Sequence, residues 1–243
     1  MRYAIIADIH ANLEAFSTVL NDISKRGINI IWSLGDIIGY GPDPRACIAL
    51  LQRQKYVAVA GNHDLAAIGI IGTADFHPDA VIANRWTREQ LQQSDLDFLA
   101  GLPSDIQEGD FTLVHASLRE PIWEYLKSAD VAKSNLPYFK SPFCANGHTH
   151  KPVIIRCGED NKCVLAEFKE ENEFVMEGNH LFVNPGSIGQ PRDGDPRASY
   201  TVYDSETKTI RLIRVPYDIA AVQAKMLKNG LPSGLISRLS YGI

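Results

Sequence analysis

Five of the seven histidines in this chain fall within short motifs whose residue types suit metal binding. In chain order the motifs are Asp8-Ile9-His10, Gly35-Asp36, Gly61-Asn62-His63-Asp64, Val114-His115 and Gly147-His148-Thr149-His150. Each follows an apolar run that reads as a β-strand. Residues i and i+2 at a strand end lean to the same side, so Asp8 with His10, and His148 with His150, can each present two ligands together. Asp36 and Asn62 come from the ends of what read as neighbouring strands, the place where open α/β sheets bind ligands. Two carboxylates, one amide oxygen and up to five imidazoles are more than one tetrahedral ion needs. They suit two divalent ions with a shared carboxylate and open positions for water.

That donor set points to phosphate chemistry. Two divalent ions against the carboxylates of Asp8 and Asp36 leave a cationic pocket inside a protein of net charge −5. Paired ions can activate water near neutral pH and clamp the attacking and leaving oxygens of an in-line displacement. Mixed nitrogen and oxygen ligands without thiolate admit Mn, Fe, Co, Ni or Zn.

The elements that must position these side chains alternate. Residues 3–7, 28–34 and 56–60 read as apolar strands, buried on both faces as in a parallel sheet covered by helices. Between them, residues 12–25 form a helical pattern with Leu13, Phe16, Val19, Leu20 and Ile23 on one face, ended by Gly27. Pro44 opens a second helix through about residue 54. Helix signals fill residues 78–101, with Ser94 as the N-cap of the second piece. A strand at 111–114 precedes an aromatic and charged connection over 117–140, within which a helix starts near Ser128. Residues 143–146 lead into His148 and His150. Strands then dominate, at 153–156, 164–168, 181–184, 199–203 and 209–215, before a last helix over 218–228. The order predicts one α/β domain over residues 1–243, with a mostly parallel sheet first and a more antiparallel one later. Packed face to face with helices outside, these make a four-layer αββα sandwich of two mixed sheets.

Composition sets the limits. Of 243 residues, 45% are hydrophobic and 22% charged, as in ordinary globular domains, and no clustered basic face marks a nucleic-acid partner. No apolar run reaches membrane-spanning length and no signal-peptide core opens the chain, so a cytoplasmic protein is expected. The four cysteines show no CxxC spacing. Cys157 and Cys163 can pair across a hairpin, but two reduced thiols are the preferred reading for a cytoplasmic protein.

The ordered set D-x-H, G-D, G-N-H-D, H, G-H-x-H resembles the calcineurin-like metallophosphoesterases. The motifs cover positions 8–150, and the strand-rich tail with Asn184-Pro185-Gly186-Ser187 is similar to that of small bacterial and archaeal members, many of them phosphodiesterases or diadenosine polyphosphate hydrolases. The resemblance implies that Asp8, His10 and His150 hold one ion, that Asn62, His115 and His148 hold a second, and that Asp36 bridges them, with manganese or iron favoured. It implies that His63 stays off the metals and faces the leaving group, as general acid or as hydrogen-bond donor. Asp64 either orients His63 or caps the next helix, the cap being preferred.

Other residues carry weaker signals. His77 precedes Pro78 and reads as a loop residue before a helix. Gly178-Asn179-His180 repeats the tripeptide of Gly61-Asn62-His63, but its acidic left flank makes it a turn feeding a strand. Residues 184–187 read as a tight turn that can also line the pocket. Arg192 and Arg197 lie beside Asp193 and Asp195, so phosphate recognition and local ion pairing are equally open. Trp123 and Tyr125 can stack a nucleobase, with core packing preferred; Tyr40 shares that ambiguity, and with Arg192 is a candidate substrate contact. Protein phosphatases of the family carry G-D-x-V-D-R-G, whereas residues 35–41 here lack the second Asp and the Arg, which argues against a phosphoprotein substrate. The expected substrate is a small phosphate ester or nucleotide. Phosphodiester or nucleotide phosphoanhydride hydrolysis ranks first, a broad phosphomonoesterase second, and a non-catalytic scaffold of the same fold last.

Overall fold

The computed structural model describes every residue except Asn179. Its first half runs β1 (Arg2–Ile6), α1 (Leu13–Lys25), β2 (Ile30–Ser33), α2 (Pro44–Gln52), β3 (Tyr56–Ala58), α3 (Asn62–Ala67), α4 (Pro78–Gln90), α5 (Gln93–Ala100), β4 (Asp105–Glu108) and β5 (Phe111–Val114). There follow α6 (Ala129–Asn135), a 3-10 turn (Leu136–Tyr138), β6 (Phe143–Ala145), β7 (Pro152–Cys157), β8 (Cys163–Ala166), β9 (Glu173–Val175), β10 (His180–Pro185), β11 (Ala198–Asp204), β12 (Thr209–Val215), α7 (Ile219–Lys228) and α8 (Ser233–Arg238).

The strands form two six-stranded sheets, ordered β3-β2-β1-β11-β12-β9 and β4-β5-β6-β10-β7-β8. Both are mixed. In the first, β1 pairs parallel with β2 and antiparallel with β11; in the second, β10 pairs parallel with β6 and antiparallel with β7. The late strands therefore do not make a sheet of their own, as the order along the chain suggested: β11 and β12 extend the first sheet, and β10 enters the middle of the second.

Side-chain alternation decides the layers. Ala4 and Ile6 of β1 face the helix layer with Phe16, Val19, Ile48 and Leu51, while Ile5 faces the other sheet with Trp32, Phe111 and Leu181. In β10, Leu181 and Val183 enter that inter-sheet core, and Phe182 turns outward to Leu126 and Ala132 beneath α6. The result is the expected four-layer arrangement. Burying a large apolar side chain is worth about 1.5–3 kcal/mol, so slipping β1 by one residue would misplace several such terms at once.

Local chemistry sets most boundaries. Asn12 caps α1, its Oδ1 accepting from the Ala15 amide at 3.1 Å. Ser128 caps α6 as expected. The expected cap at Ser94 is displaced: Leu91 is extended, and Asp95 Oδ2 accepts from the Gln92 amide at 2.8 Å, so Gln92 occupies the cap. The strands β4 and β9 and the helix α8 were not expected, while α3 is the helix that Asp64 was expected to cap. Among the described residues no helix is long and apolar enough to cross a membrane.

The cysteine expectation is also corrected. Cys157 and Cys163 are joined by a disulfide, not held as free thiols, because the β7–β8 register sets them directly opposite with Cα atoms 4.0 Å apart. Cys47 and Cys144 are free and buried. Of the expected turn before β10, Asn179 lies outside the described residues; His180 opens the strand.

Candidate metal centre

The motifs converge where the two sheets meet at one end. Their backbone is unusual: Asp8, His10, Asp36, His148 and His150 all adopt positive φ, between 47° and 66°. Non-glycine residues rarely occupy this left-handed region, and each such residue costs on the order of 1 kcal/mol or more. The side chains are thus delivered by tight turns just past the strand ends, not by the extended alternation inferred from spacing. Asp8 and His10 still fall together. His148 and His150 separate into two donor groups.

Those groups are Asp8, His10, Asp36 and His150, and Asp36, His115 and His148, each with candidate ligand atoms within 4.8 Å of one another. Asp36 belongs to both. Its Oδ2 lies 3.6 Å from His10 Nε2 and 3.5 Å from His115 Nε2. Asn62 Oδ1 approaches His115 Nε2 at 3.0 Å, and His148 Nδ1 approaches the same nitrogen at 3.1 Å. His10 and His150 bring their Nε2 atoms to 3.0 Å. All these residues are buried.

Three imidazoles are held by main-chain carbonyls. Nδ1 of His10 donates to Ile38 at 3.2 Å, Nδ1 of His115 to Leu34 at 2.8 Å, and Nδ1 of His150 to Gln190 at 2.6 Å. Each bond places the proton on Nδ1 and leaves a lone pair on Nε2. Two lone pairs 3.0 Å apart repel unless a cation lies between them. Donors about 2.1 Å from a shared ion stand roughly 3.0–3.4 Å apart, for right-angle to tetrahedral coordination. The donor set therefore fits metal ions.

Electrostatics agree. Burial holds His10, His63, His148 and His150 well below the usual imidazole range and His115 at about 4, so all five stay neutral. Burial, then the Asp36 carboxylate, pushes Asp8 well up; burial raises Asp36 to about 8, opposed by the His63 amide and Arg192. Two buried carboxylates side by side are poorly stable as anions without a compensating cation.

The surrounding chain braces this geometry. The His148 amide donates to both oxygens of Asp8 at 3.2 Å, and the His63 amide to Asp36 Oδ1 at 2.8 Å. Ser187 Oγ and the Gly189 amide, each at 2.9 Å, both donate to the Asp8 carbonyl. Asn184 Nδ2 donates to the Gly147 carbonyl at 2.6 Å and to Thr149 Oγ1 at 3.1 Å. The 184–187 segment is thus a brace behind the cluster rather than a wall of the cleft. Gly35 is required twice over: its φ is +85°, and a Cβ there would fall 2.6 Å from the Gly61 nitrogen.

The Asp64 carboxylate does not hydrogen-bond the His63 ring. Its two oxygens accept from the amides of Gly61 (3.0 Å) and Ile38 (3.1 Å), capping α3 and tying it to the loop after Asp36. The His63 ring packs against Tyr40, Phe76 and His10, with centroids 4.3, 4.7 and 5.0 Å away. With Asp36, Asn62, His148 and His150 it lines an open cleft of about 700 Å³.

That cleft sorts the weaker candidates. Arg192 and Tyr40 line it, with the guanidinium 5.7 Å from the Tyr40 ring. Arg197 instead pairs with Asp195 and Glu170. Trp123 and Tyr125, for which core packing was preferred, line the cleft: Tyr125 is exposed and stacks on His148 at 4.1 Å, and Trp123 meets Phe76 edge-on at 5.6 Å. His77 caps α4 at the rim. Phe76 and Arg238 were missed. Neither sits in a recognisable motif, and α8, which carries Arg238, was itself not foreseen.

Comparison with known proteins gives a consistent picture. The profile of the calcineurin-like phosphoesterase superfamily domain matches residues 1–208. An uncharacterised protein of Methanocaldococcus jannaschii is 39% identical, covering 98% of this chain and 97% of its own. The crystal structure of a metallophosphoesterase from Sphaerobacter thermophilus superposes with a TM-score of 0.90 at 43% identity, over 100% of this chain and 99% of that one. A hypothetical protein of Pyrococcus horikoshii shares the fold, with a TM-score of 0.81 at 19% identity over 100% and 98%.

Proposed function

Because the chain belongs to the calcineurin-like phosphoesterase superfamily, we propose that it is a two-metal hydrolase of phosphodiester or nucleotide phosphoanhydride bonds. In this reading Asp8, His10 and His150 hold one divalent ion, Asn62, His115 and His148 the other, and Asp36 both. Manganese or iron is the expected metal. The observation that carries the reading is that Asp36 Oδ2 lies at nearly equal distances, 3.6 and 3.5 Å, from His10 Nε2 and His115 Nε2. When bound, such ions supply a nucleophile from water at neutral pH and a Lewis-acid clamp on the phosphate oxygens.

The chain's own residues do the rest. The Nδ1 bonds of His10, His115 and His150 orient their rings before any substrate arrives. His63 faces the cleft beside the cluster, where its N–H can donate to the leaving oxygen. Burial depresses its pKa, which favours a neutral hydrogen-bond donor over a stored proton. Arg192 and Tyr40 meet the substrate at the rim. The chain is also read as a single domain acting in the cytoplasm. Stable disulfides are rare in that compartment, so the Cys157–Cys163 pair weighs against the location.

Protein reconstituted with Mn²⁺ should hydrolyse bis-p-nitrophenyl phosphate, and a chelator should abolish the rate. Faster turnover of p-nitrophenyl phosphate would move the assignment to a phosphomonoesterase. No turnover of any ester with any metal would reject the enzyme in favour of a scaffold.

A further inference from the structure

The cleft holds two guanidinium groups that the metal chemistry does not require. Arg192 and Arg238 both line it and share one acceptor: Arg192 Nη2 donates to Gln190 Oε1 at 2.8 Å, and Arg238 Nη1 reaches the same oxygen at 3.4 Å. Arg238 Nε donates to the main-chain oxygen of Ile243 at 2.6 Å. Among the described residues neither group forms an ion pair with a carboxylate side chain, whereas Arg197, Arg211 and Arg214 all do. Arg192 Nε is buried without a partner. Burial, then the charge of Arg192, makes the charged form of Arg238 harder to hold, with Tyr40 and Asp79 opposing.

Two like charges on one acceptor in a half-buried place repel, and an anion bound between them removes the repulsion. Asp75 and Asp79 also line the cleft, and the Asp79 carboxylate offsets only part of what burial and Arg192 impose on Arg238. The phosphoryl group under attack is served by the donor cluster on the cleft floor. The arginine pair is therefore available to a second anionic group. Phe76 and Trp123, set edge-on, also line the cleft and offer aromatic faces on which a base can stack.

We propose that the preferred substrates carry a second phosphate beyond the one attacked, as nucleoside or dinucleoside polyphosphates do, and that Arg238 with Arg192 binds it. This rests on the metallophosphoesterase reading above. Arg238 lies in α8, beyond the residues matched by the family profile, so its role concerns which ester is chosen rather than the shared chemistry.

The test compares kcat/KM for diadenosine tetraphosphate and bis-p-nitrophenyl phosphate on the Mn²⁺-loaded full chain at fixed free Mn²⁺. Wild type should favour the polyphosphate. Arg238→Gln should lower its kcat/KM by about tenfold or more, mainly through KM, as expected for losing a charged hydrogen bond. The loss on the single-phosphate diester should be several times smaller. Arg238→Lys keeps the charge without the fork; it should show the same split at smaller size, and it carries the comparison if Arg238→Gln does not fold. Equal losses on both substrates, or none on the polyphosphate, would overturn the proposal. Wild-type hydrolysis of the diester without the polyphosphate would overturn it and leave the metallophosphoesterase reading standing. Hydrolysis of neither would remove both.

Discussion

The donor cluster and the cleft above it are built in opposite ways. In the cluster every side chain is buried, five leave tight turns at strand ends, and three imidazoles and both carboxylates are pinned by main-chain groups. In the cleft the walls come from the loop before α4, the connection after β5, Arg192 and α8, and several of their side chains stay partly exposed. Shifting a cluster residue disturbs two sheets. Changing a cleft residue disturbs little beyond the cleft. A fold arranged this way can keep one reaction while exchanging its substrates.

Four experiments probe that division, from the largest effect to the smallest. Asp36→Asn should abolish turnover to the metal-free background, and elemental analysis should find both ions lost together. Retention of one ion would mean the two donor groups do not share this carboxylate. His63→Ala should keep the metal content and slow turnover by about 10²–10⁴-fold, most for poor leaving groups. An equal slowing of p-nitrophenol and alkoxide leaving groups would remove His63 from the leaving-group side. Trp123→Ala should raise KM for nucleotides by about tenfold, since a stacked base is worth roughly 1–3 kcal/mol, and should hardly change the chelator-sensitive rate on a small diester. An equal loss on both would tie the cleft wall to the cluster.

The fourth concerns pH. The carboxyls of Asp36 and Asp64 are raised to about 8 and about 7, against about 3.9 in an unfolded chain. Their contribution to the stability of chelator-treated protein is complete below about pH 4 and is lost as pH climbs through 7 and 8. The five buried imidazoles run the other way. Their contribution is complete above about pH 6.5 and is lost as pH falls toward the depressed values, about 4 for His115. The melting temperature of metal-free protein should therefore peak near pH 6.5, by about 2–4 °C per kcal/mol for a chain of this size. Mn²⁺ should flatten the alkaline side by keeping Asp36 ionised. A metal-free profile already flat from pH 6.5 to 8.5 would contradict the burial that sets these shifts.

The same division explains what could be read from the chain. Asp8, His10, Asp36, Asn62, His115, His148 and His150 were legible because each follows an apolar strand in a local motif, so position and chemistry travel together. How they are presented was not: spacing suggested extended alternation, while the backbone turns left-handed at five of them. The strands β4 and β9 escaped notice because they are edge strands rich in charge, stabilised by their neighbours rather than by their own pattern. Trp123, Tyr125 and Arg238 gained their meaning only from what faces them across the cleft. The Cys157–Cys163 bond depended on hairpin register, which spacing permits without deciding.

The seating of Asp8 also bears on synthesis. Its carbonyl is gripped by Ser187 and Gly189, and the strand that leads to it pairs with β11 through Ala4 and Val202. A nascent chain of 150 residues already carries every member of the cluster, yet lacks the segments that hold its first member in place. The seat of Asp8 is therefore completed only once about residue 204 has been made, and until then the histidines and carboxylates lack the brace that fixes their spacing.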